Sequence, residues 1–579
     1  NTSSADHDQF DKTAVPMRGI IAIRLNVPPT QMPNEFDFII IGSGTAGSLL
    51  AKRLSQDPAN RVALIEAGPP DHNPLIHIPA GFMKTMTNPA INWLYETEPS
   101  AGTNGRSIKQ PRGKTLGGSS SINGHVYNRG QRTDYDVWAQ MGNRGWDYAS
   151  VLPYFKRGEK RIGDADTRFR GTDGEFAVTD LQWKHPLCEA FIDGALAMGI
   201  PRNADYNGAK QDGVGYFQRS IYKRRRMSSA RAFLHPSTGR KNLRVYTSTH
   251  VLKINLDGKR ATSVTCSRGG STITLSARRE IILSGGTFNS PQLLQLSGIG
   301  PAALLNELGI EVLHELPGVG ENLRDHYGVR LVARVKDGVE TINERSRGLK
   351  LGKEILAYFT GGQSILNLQP TLVHVFWKSR PALDQSDLQI TFTPASYQEG
   401  VQSALDDFPG ATVAVWQQRP TSSGHVRAVS RDPFTKPTIQ PNYFAETADQ
   451  HVLLDGMKLA RKLMSSDALM RYVDREDLPG PQVQSDDEWL DFARQRGTTT
   501  FHPVGTCQMG PSSNATAVVD DQLRVHGLHG LRVVDASVMP TMVSANTNAA
   551  TLMIAEKAAD MILARSPLPP VELDDYPAR

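Results

Sequence analysis

The sequence predicts a mixed α/β and α+β fold, in which a discontinuous Rossmann-like domain is combined with a second domain built on an antiparallel sheet. Three observations predict it. An apolar run enters a glycine-rich turn at Phe36–Gly47 and is followed by helix-forming residues. Alternating apolar and polar residues recur at 371–377, 388–393 and 411–416, a pattern typical of antiparallel strands. A chain of 579 residues also usually divides into more than one domain.

The first element is a strand, a tight turn and a helix around Gly42-Ser-Gly-Thr-Ala-Gly47, followed by a strand that ends at Glu66. In this context Gly42 permits the turn, Gly44 permits close approach of a pyrophosphate, and Gly47 permits close helix–strand packing. The helix N-terminus favours an anion, and Glu66 can accept hydrogen bonds from ribose hydroxyls. The pattern predicts an adenine-dinucleotide site that also includes Thr45, Ala46 and Ala67, with NAD and FAD both still open.

Three later segments narrow this choice. Gly113–Tyr127 and Gly286–Gly300 are rich in glycine and small hydroxyl residues, which let the backbone approach a large planar ligand. A third segment begins at His502 and is followed 44 positions later by Asn546.

Together these segments make the chain resemble the glucose–methanol–choline (GMC) flavoprotein oxidoreductases from about Phe36 to Ile562. The resemblance is greatest to the bacterial members that act on aliphatic alcohols and polyethylene glycols. It implies FAD as the cofactor. It also implies further cofactor contacts at Trp93, Arg112, Gly113, Gly117, Gly118, Ser119, Asn123, Gly124, His125, Val126, Val251, Asp535, Ala536, Asn546 and Thr547.

Oxidation of an alcohol by a flavin needs a proton acceptor and a donor to the developing negative oxygen. Imidazole titrates near neutrality, so His502 can take the hydroxyl proton. The amide of Asn546 can donate a hydrogen bond to the substrate oxygen. The family resemblance implies the same two roles for these residues. Asp535 follows the strand-like run that starts at Leu531, where it can contact the flavin phosphate or ribitol, or cap a helix.

Two positions depart from relatives within this resemblance. Some members attach flavin through a histidine just before the matching Asn123, and here that position is Ile122, so we expect non-covalent FAD. His125 stands where relatives usually have methionine, and it can either tune the flavin or fill space.

Motif placement predicts the domain organisation. The FAD-binding domain is expected at 36–150, 240–325 and 497–565, the substrate-binding domain at 151–239 and 326–496, and an N-terminal extension at 1–35. The candidate substrate-pocket residues are aromatic: Phe376, Trp377, Trp416 and Phe501. An aromatic beside the base, as at Phe501, also occurs in some oxidases, which leaves O₂ open as the electron acceptor.

Composition limits the partners. A net charge of +5 spread along the chain gives no indication of nucleic-acid binding, and three scattered cysteines predict neither a disulfide framework nor a metal site. Lys223-Arg-Arg-Arg226 could attract an anionic membrane surface or an acidic substrate, or form a solvated basic loop. No apolar stretch is long enough to span a membrane. A cytoplasmic or peripheral membrane location is favoured, an exported and processed protein is an alternative, and the oligomeric state is open.

The sequence therefore predicts FAD-dependent oxidation of a primary alcohol to the aldehyde, with electrons passed to a quinone or other carrier. Two alternatives stand beside it. One is an alcohol oxidase that uses O₂, and the other is an FAD-containing hydroxynitrile lyase.

Overall fold

The computed structural model describes residues 34–398 and 404–573. Apart from its last two residues, the predicted extension 1–35 lies outside them. In chain order, the strands among the described residues are β1 Glu35–Ile41, β2 Val62–Ile65, β3 Tyr95–Glu96, β4 Lys109–Gln110, β5 Glu159–Ile162, β6 Phe176–Thr179, β7 Gly213–Tyr216, β8 Ile221–Tyr222, β9 Arg225–Arg226, β10 Leu243–Tyr246, β11 Thr249–Asp257, β12 Arg260–Arg268, β13 Ser271–Leu283, β14 Ile299–Gly300, β15 His314–Glu315, β16 Glu321–Leu323, β17 Tyr327–Val335, β18 Val373–Trp377, β19 Leu388–Thr393, β20 Gly410–Gln417, β21 Gly424–Arg427, β22 Thr438–Gln440, β23 Val473–Leu478, β24 Thr498–Thr499 and β25 Leu531–Val533.

The α-helices of the same residues are α1 Thr45–Leu54, α2 Pro74–His77, α3 Phe82–Thr85, α4 Arg132–Gln140, α5 Tyr148–Gly158, α6 Pro186–Ala197, α7 Gly286–Leu296, α8 Ala302–Glu307, α9 Ile342–Arg345, α10 Gly348–Thr360, α11 Thr447–Met464, α12 Asp467–Met470, α13 Asp486–Arg496 and α14 Asn548–Ile562. Helix α1 begins at Thr45, inside the glycine-rich turn itself.

The first large sheet has the order β10-β2-β1-β13-β12-β11, with β25 also paired to β13. Five of its strands are parallel to one another: β10, β2, β1, β13 and β25. Strand β12 pairs antiparallel with both β13 and β11. The carboxyl ends of the parallel strands therefore meet at one edge, where open α/β sheets bind ligands. Gly42, Glu66, Ser284 and Asp535 follow or lie close to four of these ends.

The second large sheet is antiparallel, with the order β23-β17-β20-β19-β18-β7 and β24 paired to β17. The alternating runs of the sequence become β18, β19 and β20, so the predicted fold class is confirmed. Because β24 stands immediately before Thr500–His502 and pairs with the start of β17, it ties the His502 segment to this sheet. The domain boundaries themselves stay a prediction.

Each sheet has its own hydrophobic core. One cluster packs the first sheet against α1, α5 and α14, and includes Trp138 and Trp146. The other packs the second sheet against α6, α11 and α13, and includes Trp489. Apolar faces at helical spacing cover the sheet faces, and that burial is the main driving force for this arrangement.

Candidate active site

A cavity of about 860 Å³ is lined by residues of both sheets. At one part of its wall lie Gly44, Glu66 and Val251, and at another lie His502 and Asn546. The two motifs from opposite ends of the chain thus face one space, large enough for a cofactor-sized ligand.

Almost every predicted cofactor-binding residue lines this cavity. Gly47 and Gly117 do not, and each acts on the backbone instead. A Cβ at Gly47 would lie 1.9 Å from the carbonyl oxygen of Gly42, so only glycine lets the helix pack here. Gly117 has φ +86°, in the left-handed region that favours glycine. The predicted residues in the wall are Gly42, Gly44, Thr45, Ala46, Glu66, Ala67, Trp93, Arg112, Gly113, Gly118, Ser119, Asn123, Gly124, His125, Val126, Val251, Asp535, Ala536, Asn546 and Thr547.

The four aromatic pocket candidates separate into two pairs. Trp416 and Phe501 line the cavity. Phe376 is buried in a cluster with Val126, Tyr206 and Phe217, and the partly buried Trp377 packs against the core of the second sheet. The alternation along β18 predicted an antiparallel strand correctly. Nothing in the pattern indicates which of its side chains face the cavity.

The glycine-rich turn is braced by Glu66. Its Oε2 accepts hydrogen bonds from the Ser43 amide at 3.0 Å and the Ser43 hydroxyl at 2.7 Å, and its Oε1 accepts one from the Gly68 amide at 2.8 Å. Burial raises the pKa of this carboxyl, against the lowering effect of these hydrogen bonds. Glu66 therefore fixes the turn as well as facing the cavity. The sequence did not predict that Ser43 would hold this carboxylate.

Asp535 combines the two roles that the sequence left as alternatives. Its Oδ1 accepts a hydrogen bond from the Ser537 amide at 2.8 Å, which caps a short 3₁₀ helix. Its Oδ2 accepts from the Gly286 amide at 2.8 Å and the Ser290 hydroxyl at 2.6 Å, and the residue also lines the cavity. It joins β25 to the start of α7.

His502 lies in a chain of hydrogen bonds that fixes its tautomer. The buried His326 contacts the carbonyl oxygen of Gln418 through Nε2 at 2.7 Å, and because a carbonyl only accepts, this nitrogen carries the proton. His326 Nδ1 is then an acceptor for the proton on His502 Nδ1, 3.0 Å away. The hydroxyl of Thr500 lies 2.8 Å from the same His502 nitrogen.

With its proton on Nδ1, the His502 ring presents a lone pair on Nε2. The amide Nδ2 of Asn546 lies 2.9 Å from that Nε2 and donates to it. Burial lowers the pKa of His502 well below its ordinary value, and the nearby His326 and Arg112 lower it further. The imidazole is therefore neutral at pH 7, with its basic nitrogen beside the amide of Asn546.

Asp325 and His326, two adjacent residues, hold His502 from two sides. The buried Asp325 accepts a hydrogen bond from the His502 backbone amide at 2.8 Å, while His326 contacts the ring. Burial lowers the pKa of His326 to about 4, which keeps it neutral. Sequence reasoning missed both residues, and the predicted boundary between segments 240–325 and 326–496 falls between them. No local pattern marks either residue as functional.

His125 has a left-handed backbone, with φ +64°, and is almost fully buried. Its Nε2 donates to the carbonyl oxygen of Pro79 at 3.0 Å. Burial lowers the pKa of this histidine well below its ordinary value, and the charge of Arg226 lowers it further. It is thus a neutral ring in the cavity wall, in keeping with either role considered above.

The cavity wall fits a large polar cofactor such as FAD. A Cβ built on Gly44 meets no atom within 4 Å, so the turn leaves open space where a pyrophosphate would lie. Among the described residues, several buried polar atoms of the wall have no hydrogen-bond partner, which is costly unless a ligand supplies one. These atoms are Arg112 Nε, His125 Nδ1, Ser284 Oγ, Thr371 Oγ1, Trp416 Nε1 and Asn546 Oδ1.

The basic run Lys223–Arg226 is only partly solvated, which corrects the reading of it as a basic loop. Arg226 is buried, and its guanidinium donates to the backbone and side-chain oxygens of Asn123 at 2.8 and 2.7 Å. It thereby supports the wall segment that contains Asn123. Arg224 donates to carbonyl oxygens at the C-terminal end of α10, while Lys223 and Arg225 are exposed.

The described part of the chain contains no cluster of three or more histidine, cysteine, aspartate or glutamate residues suited to a metal ion. Its three cysteines are free and buried. Within residues 34–398 and 404–573, no helix is long and apolar enough to cross a membrane.

The chain belongs to the GMC oxidoreductase family. Family models described as "GMC oxidoreductase" match residues 36–328 and 420–555. FAD is the cofactor that this family and its solved structures support, and the reaction class is FAD-dependent oxidation of the alcohol type.

Two curated relatives illustrate the range within that class. An oxygen-dependent choline dehydrogenase of Staphylococcus saprophyticus is 40% identical over 551 residues, covering 94% of this chain and 98% of the relative. An alcohol dehydrogenase (acceptor) of Pseudomonas putida is 40% identical over 534 residues, covering 91% and 96%.

Solved structures agree on the fold. Pyridoxine 4-oxidase of Mesorbium loti superposes with a TM-score of 0.83 at 31% identity, covering 92% of this chain and all of that one. Formate oxidase of Aspergillus oryzae gives a TM-score of 0.85 at 28% identity, covering 92% and 98%.

Proposed function

We propose that the protein oxidises a primary alcohol to the aldehyde, with His502 as the base and electrons passed from the flavin to a quinone or other carrier. The observation that carries the proposal is the pairing of His502 Nε2 with Asn546 Nδ2, 2.9 Å apart, in the wall of one cavity. A neutral imidazole with a basic lone pair and an amide donor are the two groups that activation of an alcohol needs.

FAD, when bound, supplies the hydride acceptor. The chain's residues handle the proton and the oxygen. The substrate hydroxyl displaces the Asn546 amide as the donor to His502 Nε2, and that nitrogen takes the hydroxyl proton. Asn546 then donates to the oxygen as negative charge develops there. The Nδ1 proton stays between His502, His326 and Thr500, which holds the ring in place while Nε2 changes its protonation state.

The cofactor is proposed to bind non-covalently along the predicted residues of the wall. Ile122, which also lines the cavity, offers no nucleophilic atom for attachment to the flavin. Denaturation with acid should therefore release all of the flavin into the supernatant. Flavin that stays with the precipitated protein would contradict this point.

The acceptor separates the proposal from its first alternative, the oxidase. The name of the Pseudomonas relative, alcohol dehydrogenase (acceptor), supports a carrier, while the staphylococcal relative is called oxygen-dependent. Hydrogen peroxide and dye reduction should be measured with the same alcohol. Dye reduction without peroxide supports the dehydrogenase, and stoichiometric peroxide would replace it by the oxidase.

Anaerobic titration of the holoenzyme with hexanol tests the reaction itself. We expect loss of the flavin absorbance near its visible maximum, because the alcohol reduces the cofactor in a single turnover. A lyase that binds FAD without redox turnover would leave the absorbance unchanged. If no alcohol in a panel of aliphatic and aromatic alcohols bleaches the flavin, the proposed oxidation is wrong.

A further inference from the structure

Arg330 is a partly buried arginine in the wall of the cavity. Its guanidinium forms no hydrogen bond or ion pair with any residue in the described part of the chain. The guanidinium carbon lies 5.6 Å from the centre of the Tyr397 ring. In contrast, Arg112 in the same wall donates to the carbonyl oxygen of Phe501 at 2.9 Å. Arginine stays charged in proteins, so among the described residues of the wall this cation has no anionic partner.

The carboxylates of the described wall are already engaged elsewhere. Glu66 and Asp535 line the cavity at the carboxyl ends of strands in the first sheet, where they accept hydrogen bonds from the turn and from α7. Arg330 belongs to the second sheet. A partly buried cation that lacks an anionic partner carries an uncompensated cost of desolvation. A bound anion would offset that cost.

The sheet register places Arg330 relative to the base. In β17, Gly328 pairs with Trp416 and Arg330 pairs with Ala414, which pairs in turn with Thr391. The Trp416 ring lies 6.5 Å from the ring of His326, which contacts His502. Two residues along a strand span about 7 Å. The Arg330–Ala414 pair therefore lies about 7 Å along the sheet from the Gly328–Trp416 pair, which is the pair next to His326 and His502.

We propose that Arg330 binds an anionic group of the substrate, so that the preferred substrates are primary alcohols with a carboxylate several bonds from the hydroxyl-bearing carbon. The inference rests on the proposed oxidation and names its substrate class. A guanidinium recognises a carboxylate through two parallel charge-assisted hydrogen bonds. The same cation disfavours a quaternary ammonium in this part of the cavity, which separates this chain from a choline-specific site.

The test compares ω-hydroxyhexanoate with hexanol, which differ only in the terminal carboxylate. In the wild-type holoenzyme the hydroxy acid should have the lower KM, and hexanoate should inhibit competitively. Arg330→Met should raise the ratio of the hydroxy-acid KM to the hexanol KM roughly tenfold to a hundredfold, and the inhibition constant of hexanoate by a similar factor.

Arg334→Met is the matched control. Arg334 is on the same strand, its guanidinium is ion-paired with Asp477 at 2.6 Å, and it is not part of the described cavity wall. This variant should keep the wild-type preference. Equal KM values for both substrates in the wild type, or no change in Arg330→Met, would overturn the assignment while oxidation of hexanol still supports the proposed function. Failure of both substrates to bleach the flavin would instead remove the proposed function.

A separate surface carries a second inference, which does not depend on the reaction. Helix α10 exposes large apolar side chains to solvent: Leu349 is 88% exposed, Leu356 65% and Phe359 72%. Positions 349, 356 and 359 are seven and three residues apart, so they lie on one face of the helix. We call this face, with the adjacent Lys353, the α10 surface. Large apolar side chains grouped this way mark an interaction site.

Exposed cationic side chains border the α10 surface on the side of the basic run. Lys353 is exposed on it, and Arg224 fixes the basic run beside the helix by donating to the carbonyl oxygens of Ala357 and Gly362. Lys223 and Arg225 of that run are exposed. The acid of the helix, Glu354, is buried and ion-paired with Arg345, so it does not offset the charge at the surface.

We infer that the α10 surface docks on a membrane that contains anionic phospholipid. An apolar helix face bordered by lysine and arginine suits the boundary between headgroups and acyl chains. A second copy of the chain fits less well, because a symmetric contact through this face would bring like charges together.

Co-sedimentation of the full-length holoenzyme with vesicles tests this surface. The protein should pellet with phosphatidylcholine vesicles that contain phosphatidylglycerol, much less with pure phosphatidylcholine, and less at high salt. Leu356→Ser combined with Phe359→Ser should weaken binding roughly tenfold or more. Lys353→Glu should weaken it about fivefold.

Val429→Ser is the control, because Val429 is an exposed apolar residue (47%) outside the α10 surface. It should bind vesicles as the wild type does, and all these variants should oxidise hexanol at the wild-type rate. No binding to anionic vesicles, or binding that the double variant leaves unchanged, would overturn the inference. So would a dimer in light scattering that dissociates in the double variant, because a second copy would then be the occupant.

Discussion

Two regions of the cavity are built by different means. The nucleotide region is formed by Gly42–Gly47, Glu66 and Asp535. Here backbone amides near the ends of parallel strands donate hydrogen bonds to the two carboxylates. At the base region, formed by His326, Thr500, His502 and Asn546, contacts run between side chains, some of them from segments far apart in sequence. The first region depends on backbone shape, and the second on the relative placement of side chains.

The largest effect should come from filling the nucleotide region. Gly44→Val adds a side chain where a Cβ meets no protein atom within 4 Å, so the fold tolerates it while the space for the pyrophosphate is lost. We expect a folded protein that is purified almost without flavin and without activity. The absorbance ratio of flavin to protein measures this loss.

Gly239→Val is the matched control, since Gly239 is exposed and also has no neighbour within 4 Å of a built Cβ. It should retain FAD. A Gly44→Val protein with normal flavin content would place the pyrophosphate elsewhere and remove the contrast between the two regions.

The base region should respond in the opposite way, with flavin retained and turnover lost. His502→Gln keeps a polar side chain but removes the basic nitrogen, and general-base contributions are typically worth roughly a hundredfold to ten-thousandfold. We expect kcat/KM for hexanol to fall within that range at unchanged flavin content. A loss below tenfold would mean that another group takes the proton.

A smaller effect is expected at His326, which positions the base without contacting the substrate. His326→Phe removes the acceptor for the Nδ1 proton of His502 and leaves only Thr500 beside that nitrogen. By analogy with partners that orient functional histidines, kcat/KM should fall roughly tenfold to a hundredfold. Flavin content and the KM of hexanol should stay near the wild-type values, whereas a purely structural role would alter both.

The same contrast explains what could be predicted from the sequence. Gly42, Gly44 and Glu66 lie within a 25-residue span whose spacing reflects a local strand–turn–helix–strand unit, and β18, β19 and β20 followed from the alternating pattern. Asp325, His326 and Arg330 carry no such local signature, because their roles arise from β17 pairing with β24 and β20. Phe376 is the converse case: its strand was predicted correctly, but the direction of its side chain depends on how β18 packs.

The pH profile separates the regions further, because only the base region holds a group that must be neutral for turnover. Burial, with smaller contributions from His326 and Arg112, lowers the pKa of His502, so the active neutral form persists below the ordinary histidine pKa of about 6.5. We expect kcat/KM for hexanol to stay constant from pH 8 down past that value and to fall only at lower pH. Flavin content should not follow this transition, and an acid limb above pH 7 would contradict the buried environment of the base.

The smallest effect concerns stability in the second sheet. His374 on β18 is fully buried against Tyr206 and Phe217, and burial lowers its pKa to about 3. The unfolded chain takes up the proton first as the pH falls below about 6.5, so the free energy of unfolding decreases from there towards pH 3. Between pH 7 and pH 5 this histidine should account for about 2 kcal/mol of the loss. In His374→Leu the loss over the same interval, measured by urea denaturation, should be smaller by that amount.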